Sequence, residues 1–111
     1  PPLLLTTTTF LNMTYLIAYD ITNDKKRSRV AQLLEKTGGV RFQKSVFFVD
    51  LSQSGLRGLR SNIQQVWQQP PHPPDQLFIV KVHRSAFKGM TIIGQGLDPV
   101  LALGQVKTMV L

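Results

Sequence analysis

A six-residue apolar run that ends abruptly in a carboxylate is the feature that most constrains this chain. The run extends from Thr14 to Tyr19, and Asp20 follows it directly. Its residues are β-branched, aromatic or aliphatic, which predicts a buried strand. Asp20 then lies at the carboxyl end of that strand, where loops of α/β folds can reach a ligand. Asp20 is therefore the first candidate for a functional residue.

A basic helix is predicted soon after this carboxylate, from about Asp24 to Thr37. Polar residues 22–24 can cap its start, and a pair of glycines, Gly38-Gly39, can end it. Its first turns carry four cations, Lys25, Lys26, Arg27 and Arg29. The helix dipole disfavours cations at this end by about 0.3–1 kcal/mol each, so stability alone does not explain them. They favour a patch that binds phosphate, and a solvated basic face is the alternative.

A second strand is predicted from Val40 to Leu51, with alternating residues on its two faces. The first face carries Val40, Phe42, Val46 and Phe48. The second face carries Arg41, Gln43, Ser45, Phe47 and Val49. Because the second face mixes polar groups with a large aromatic residue, we expect it to meet a partner or a sugar-phosphate chain.

The rest of the chain predicts one more helix and several short strands. The helix begins near Ser52 or Ser54 and carries Trp67, which is expected in the core rather than as a base-stacking platform. Strands are predicted at 76–83, 90–93 and 106–111. This order matches the ferredoxin-like α+β pattern βαββαβ, with an additional C-terminal strand, only if the 40–51 segment bends to supply two strands.

Composition limits the classes of partner. A chain of 111 residues with a net charge of +7 fits one small domain that binds a polyanion, either nucleic acid or an acidic membrane surface. It has no cysteine, which excludes disulfides and thiol nucleophiles and fits a cytoplasmic location. No apolar run approaches the roughly 18 residues that span a bilayer, so no membrane-spanning segment is expected. Of the two polyanions, nucleic acid is the expected partner and a membrane is not. We expect residues 1–12 to be an N-terminal extension, either non-native or a real edge strand, because Leu and Thr suit a strand. Residues 13–96 are expected to be the domain, and 97–111 a tail that pairs at an edge or with a partner.

Three segments together resemble the CRISPR-associated protein 2 family. They are Tyr19-Asp20-Ile21, the helical 26–30 segment KRSRV, and the 39–47 segment GVRFQKSVF, in that order and spacing. The resemblance continues through 75–82 and 91–94 and covers nearly all of residues 13–96. One departure is Phe48, at a position where many members of the family carry glutamate. It removes one carboxylate from the vicinity of the strand.

The resemblance implies a ferredoxin-like homodimer in which the two copies of Asp20 face each other across the twofold axis. It further implies a metal-dependent endonuclease on RNA or DNA, and a role in spacer acquisition as the dimeric bridge that holds the CRISPR integrase on DNA. The family's functional positions fall on Tyr19, Asp20, Arg27, Arg29, Arg41 and Phe47, and Ser45 belongs to the supporting strand motif.

Two interpretations of Asp20 follow, and the residues alone leave both open. In an enzyme, Asp20 and the partner's Asp20 would share Mg²⁺, which takes one or two carboxylates and keeps several waters. In an adaptor, Asp20 is structural, while Lys25, Lys26, Arg27, Arg29 and Arg41 bind DNA phosphates. A toxin-like endoribonuclease of similar fold is the third candidate.

Overall fold

The computed structural model describes residues 12–67 and 74–94, which form four strands and three helices. In chain order these elements are β1 (Met13–Asp20), α1 (Asp24–Lys36), β2 (Val40–Gln43), β3 (Val46–Leu51), α2 (Gln53–Trp67), β4 (Gln76–Val82) and α3 (Ser85–Lys88). The strands form one antiparallel sheet in the order β2-β3-β1-β4. This is the ferredoxin-like arrangement, so the predicted α+β class is confirmed. The expected extension at 1–12, apart from Asn12, and the tail and strand expected within 97–111 lie outside the described residues.

The segment predicted as one long strand is a hairpin. β2 and β3 pair antiparallel, with a turn at Lys44 and Ser45 and a register shift between Arg41 and Gln43. The hairpin supplies the second and third strands of the βαββαβ order. A single strand over 40–51 would have left that order one strand short. The polar run at 43–45 is the local cause, since nothing apolar there needs to be buried in the sheet.

Both long helices begin on polar caps and bury one stripe of apolar residues. The side chain of Asn23 accepts a hydrogen bond from the Lys26 backbone N–H at 2.9 Å, and Ser52 Oγ accepts one from the Gly55 N–H at 3.1 Å. α1 ends before Gly39, where a Cβ would lie only 2.7 Å from the Leu34 carbonyl oxygen. The predicted bounds of α1 are therefore confirmed to within one residue at its C-terminal end.

The helices α1 and α2 cover one face of the sheet, and the main core lies beneath them. This helix-covered face buries Ile17, Phe47 and Val49 almost completely. The prediction that Phe47 and Val49 point toward a partner is wrong, because the two helices cover that face. Trp67 packs against this core as predicted. The other face, which we call the open face, carries a smaller cluster around Phe48.

A further correction concerns the segment after β4. The strand predicted at 90–93 is not a strand: residues 85–88 form α3, and 90–93 have no regular structure. Phe87 of α3 packs on Phe48 with ring centroids 4.8 Å apart, so this segment contributes by packing on the open face. Among the described residues, no helix is long and apolar enough to cross a membrane.

Candidate nucleic-acid and metal site

Asp20 is the last residue of β1 and is exposed at the end of the open face. It lies opposite Gln76 of β4 in the antiparallel register. Residues of β1 alternate between the faces, so Asp20 shares the open face with Leu16 and Ala18 while its neighbour Tyr19 is buried with the core. Asp20 forms no salt bridge with any residue of the described ranges, although three of the five described carboxylates do.

The predicted supporting residues fix the strand end on which Asp20 lies. The Tyr19 backbone N–H donates to the Ser45 carbonyl at 3.1 Å, and the Tyr19 hydroxyl donates to the Lys44 carbonyl at 3.5 Å. The Tyr19 ring stacks with Phe47 at a centroid distance of 6.4 Å. Ser45 thus acts through its backbone and Phe47 through packing. Both hold the strand end in place.

Lys26 is predicted from the sequence as a phosphate ligand, but the structure buries it. Its Nζ lies 3.3 Å from an Asp75 carboxylate oxygen and 3.9 Å from the centroid of the Trp67 ring. The side chains of Lys26 and Asp75 are 4% and 1% exposed. A buried cation that is already paired with a carboxylate and an aromatic ring has no face left for a phosphate. Lys26 is therefore not one of the exposed cations that could bind a phosphate.

Asp75 also fixes the loop that follows Asp20. Its carboxylate accepts a hydrogen bond from the Thr22 backbone N–H at 2.9 Å, and Lys26 binds its second oxygen. The hydrogen bond from Thr22, followed by the Lys26 ammonium, lowers the pKa of Asp75 below its ordinary value. The loop is thus tied to the start of β4, beside the residue that pairs with Asp20.

Arg27 is partly committed to the same loop. Its guanidinium donates to the Ile21 carbonyl at 3.0 Å and forms a salt bridge with Asp24. About a third of the side chain remains exposed, at 34%. Arg27 therefore shapes the entrance to α1 and keeps only part of its charge for a ligand.

The remaining three predicted cations are free at the surface. Lys25 and Arg29 are exposed on α1, and Arg41 is exposed on the edge strand β2. None of the three pairs with a described carboxylate. The Arg41 guanidinium lies 5.1 Å from the centroid of the Phe47 ring, which in turn stacks on Tyr19, next to Asp20. Packing thus connects Arg41 to the strand end that carries the carboxylate.

Two features of the open face were not predicted. Phe78 and Val80 of β4 are 53% and 46% exposed, beside Ala18 and Leu16 in the register. The signal was present, because the 77–80 segment LFIV is apolar on both faces, which is typical of a strand that is covered on both sides. Asp50 was also missed: it is 1% exposed and binds Arg84 at 2.6 Å and the Thr14 hydroxyl. An acid inside an apolar strand indicates such a partner.

The described residues fit a metal only as half of a site. They contain no group of three or more side chains that could ligate a metal ion within one chain. Asp20 supplies one exposed carboxylate, and Mg²⁺ typically takes one or two carboxylates together with several waters. A second copy of Asp20 would complete that number of carboxylates.

Comparison with known proteins identifies the family. The family model described as CRISPR associated protein Cas2 matches residues 13–90. An endoribonuclease named Cas2 1 from Chloroflexus aurantiacus is 37% identical over 87 residues, covering 78% of this chain and 90% of that protein.

Solved structures agree with this result. A hypothetical protein from Thermus thermophilus has 31% identity and a TM-score of 0.63, covering 78% of this chain and 95% of that one. A chain of a partial Cas6-RT-Cas1–Cas2 complex has 30% identity and a TM-score of 0.64, covering 73% and 90%. The chain therefore belongs to the CRISPR-associated Cas2 family.

Proposed function

We propose that a homodimer of this chain acts in the cytoplasm, in CRISPR spacer acquisition, as a DNA-binding adaptor for the Cas1 integrase. The observation that carries the proposal is the contrast in surface chemistry around the end of β1. Exposed cations with no carboxylate partner among the described residues lie on α1 and β2, while the open face beside Asp20 is apolar. The first surface is suited to phosphates and the second to another protein. The similarity to a chain from a Cas1–Cas2 complex supports the choice of Cas1.

The open face is the proposed dimer surface. Phe78 and Val80 present exposed apolar groups there, next to the half-buried Leu16 and Ala18. Burying such groups against a second copy contributes about 25 cal/mol for each Å² removed from water. Asp20 lies at the end of the same face, so a symmetric pairing whose twofold axis passes near that end would bring it close to the partner's Asp20.

Lys25, Arg29 and Arg41 are the proposed phosphate ligands of the adaptor. Their binding is independent of base sequence, because point charges recognise the backbone and not base edges. Arg27 contributes the exposed part of its guanidinium. Lys26 serves instead to position α1, through Asp75.

A second activity, Mg²⁺-dependent cleavage of RNA or DNA, is proposed at the paired Asp20 residues. It is supported by the exposed carboxylate of Asp20, which forms no salt bridge with a described residue, and by relatives that are named endoribonucleases. Mg²⁺ bound there would polarise a phosphodiester and lower the pKa of its bound water. The role of this chain is to hold the carboxylate at the strand end through the Tyr19 and Asp75 contacts and to bind the substrate phosphates.

The replacement Asp20→Asn tests which activity matters. It keeps the shape of the side chain and removes its charge, so cleavage in Mg²⁺ should fall by orders of magnitude while duplex binding stays at the wild-type level or tightens. In cells that supply Cas1, we expect spacer capture to survive. Loss of capture by a variant that still forms dimers and binds DNA would contradict the adaptor role and make Asp20 chemically necessary.

A further inference from the structure

A polar groove runs between the two long helices, on the side of the sheet opposite to Asp20. It encloses about 410 Å³. It is lined by Arg29, Gln32, Leu33 and Lys36 of α1 and by Asn62, Gln65 and Val66 of α2. Leu33 and Val66 are half-buried and form its apolar part, whereas the other five side chains are exposed.

The chemistry of the groove is cationic and rich in hydrogen-bonding groups. Arg29 and Lys36 are seven residues apart on α1, which places them on one side of the helix at a separation of about 10 Å. Neither forms a salt bridge within the described ranges, and no described carboxylate lines the groove. The three carboxamides, on Gln32, Asn62 and Gln65, can both donate and accept hydrogen bonds.

We infer that this groove binds an acidic peptide segment of a partner protein. Two carboxylates about two helical turns apart match Arg29 and Lys36, and an apolar side chain between them packs on Leu33 and Val66. The carboxamides are placed to bond the polar groups of the bound peptide. This surface goes beyond the proposed DNA and dimer surfaces and shares only Arg29 with them.

The groove is a poor match for the other polyanions. A nucleic-acid duplex presents phosphates at its surface but no apolar side chain that could pack on Leu33 and Val66. Single strands rely on aromatic side chains for base stacking, and no described lining residue is aromatic. An acidic membrane surface needs a broad apolar helix face, whereas here Leu33 and Val66 are both half-buried.

The test uses a labelled synthetic helical peptide of about 15 residues, the length at which isolated helices become marginally stable. It carries two glutamates seven positions apart with a leucine between them, and a matched peptide carries glutamine in place of both glutamates. Fluorescence anisotropy measures binding to the full chain. We expect the acidic peptide to bind about ten-fold more tightly than its glutamine counterpart. Equal binding of the two peptides would overturn the proposal.

Two variants of α2 then locate the site. Gln65→Glu places a carboxylate in the groove with almost no change of shape, and Gln53→Glu makes the same change at an exposed position of the same helix outside it. We expect Gln65→Glu to lower the affinity for the acidic peptide about five-fold or more, and Gln53→Glu to leave that affinity unchanged. An equal reduction of affinity in both variants would show a general charge effect and overturn the assignment.

Lys36→Gln gives an independent check, with Lys81→Gln as the control that removes the same charge elsewhere. Only Lys36→Gln should lower the affinity for the acidic peptide. Duplex and single-stranded oligonucleotides are measured with the Gln65→Glu variant as well. If Gln65→Glu lowers the affinity for an oligonucleotide as much as the affinity for the peptide, the occupant is nucleic acid and the proposal fails. This outcome does not depend on whether the chain acts as a DNA adaptor.

Discussion

The two faces of the sheet are both apolar, but residues 12–67 and 74–94 fully cover only one of them. On the helix-covered face, Ile17 and Phe47 have no exposed surface. On the open face, Phe78 and Val80 keep about half of theirs, at 53% and 46%. Apolar character therefore does not by itself identify the core of this protein. The two faces differ in how far the described helices cover them, and the open face is the proposed surface for a second protein.

Phe47→Ala gives the largest expected effect, because it removes a fully buried ring beneath the helices. We expect the free energy of unfolding to fall by about 3–5 kcal/mol, the usual range for phenylalanine truncation in a core. Urea denaturation of the wild type and variant at equal protein concentration measures it. Phe78→Ala is the matched control on the open face. A destabilisation at Phe78 as large as at Phe47 in the monomer would erase the proposed difference between the faces.

Phe78→Ser combined with Val80→Ser tests the open face as a dimer surface. Each substitution acts twice in a symmetric dimer, and we expect the association free energy to weaken by about 2–4 kcal/mol. Sedimentation at micromolar concentration should show the wild type at about twice the chain mass of 12.5 kDa and the variant near a single chain mass. A dimer that persists in the variant would place the dimer surface elsewhere, and a monomeric wild type would contradict the proposed dimer.

The exposed cations can be compared in the same way with the buried cation Lys26. Replacing Lys25, Arg29 and Arg41 with alanine should flatten the slope of log K against log salt for duplex DNA by about 0.9 for each phosphate that is no longer neutralised. Lys26→Met should leave that slope unchanged, because the ammonium is buried against Asp75 and Trp67. A change of slope in Lys26→Met with a normal circular dichroism spectrum would mean that Lys26 reaches phosphate.

The smallest expected effect is a dependence of stability on acid pH through Asp75. Because folding lowers the pKa of Asp75 below 3.8, its contribution is fully present above that pH and is lost as the pH falls through the folded-state pKa. Thermal melts of the wild type and Asp75→Asn between neutral pH and strong acid measure it. The difference between the two melting temperatures should shrink in acid. A constant difference would show that the charge of Asp75 does not stabilise the fold.

Local pattern was enough to predict β1, α1 and α2 and the position of Asp20, because burial and caps depend on neighbouring residues. The hairpin was missed, since the turn at Lys44 and Ser45 contains no glycine or proline and interrupts a pattern that otherwise alternates. The short strand predicted at 90–93 was wrong for a related reason. β-branched residues favour a strand only when the segment pairs with a neighbour, and 90–93 pairs with none of the described strands.

The candidate site was harder to predict because its partners are distant in sequence. Lys26 and Asp75 are 49 residues apart, and only the fold shows that they neutralise each other. The sequence predicted five phosphate ligands, four in the run on α1 and Arg41 on β2. One of them, Lys26, is buried, and Arg27 is partly committed to Ile21 and Asp24. The chemistry of Asp20 itself stays a prediction, since its proposed counterpart belongs to a second copy.

The salt bridge between the buried Asp50 and the partly exposed Arg84 has a consequence for symmetry. It anchors the segment that carries α3 to the end of the sheet away from Asp20, and Phe87 then occupies the surface around Phe48. That end of the open face is already filled from within the chain. In the proposed dimer, the second copy would therefore pack on the opposite end, where Phe78 stays exposed and Ala18 half-buried. The cover at one end of the sheet would favour one alignment of the two copies. The approach of the two Asp20 side chains would then be set by the shape of the protein, before any metal ion binds.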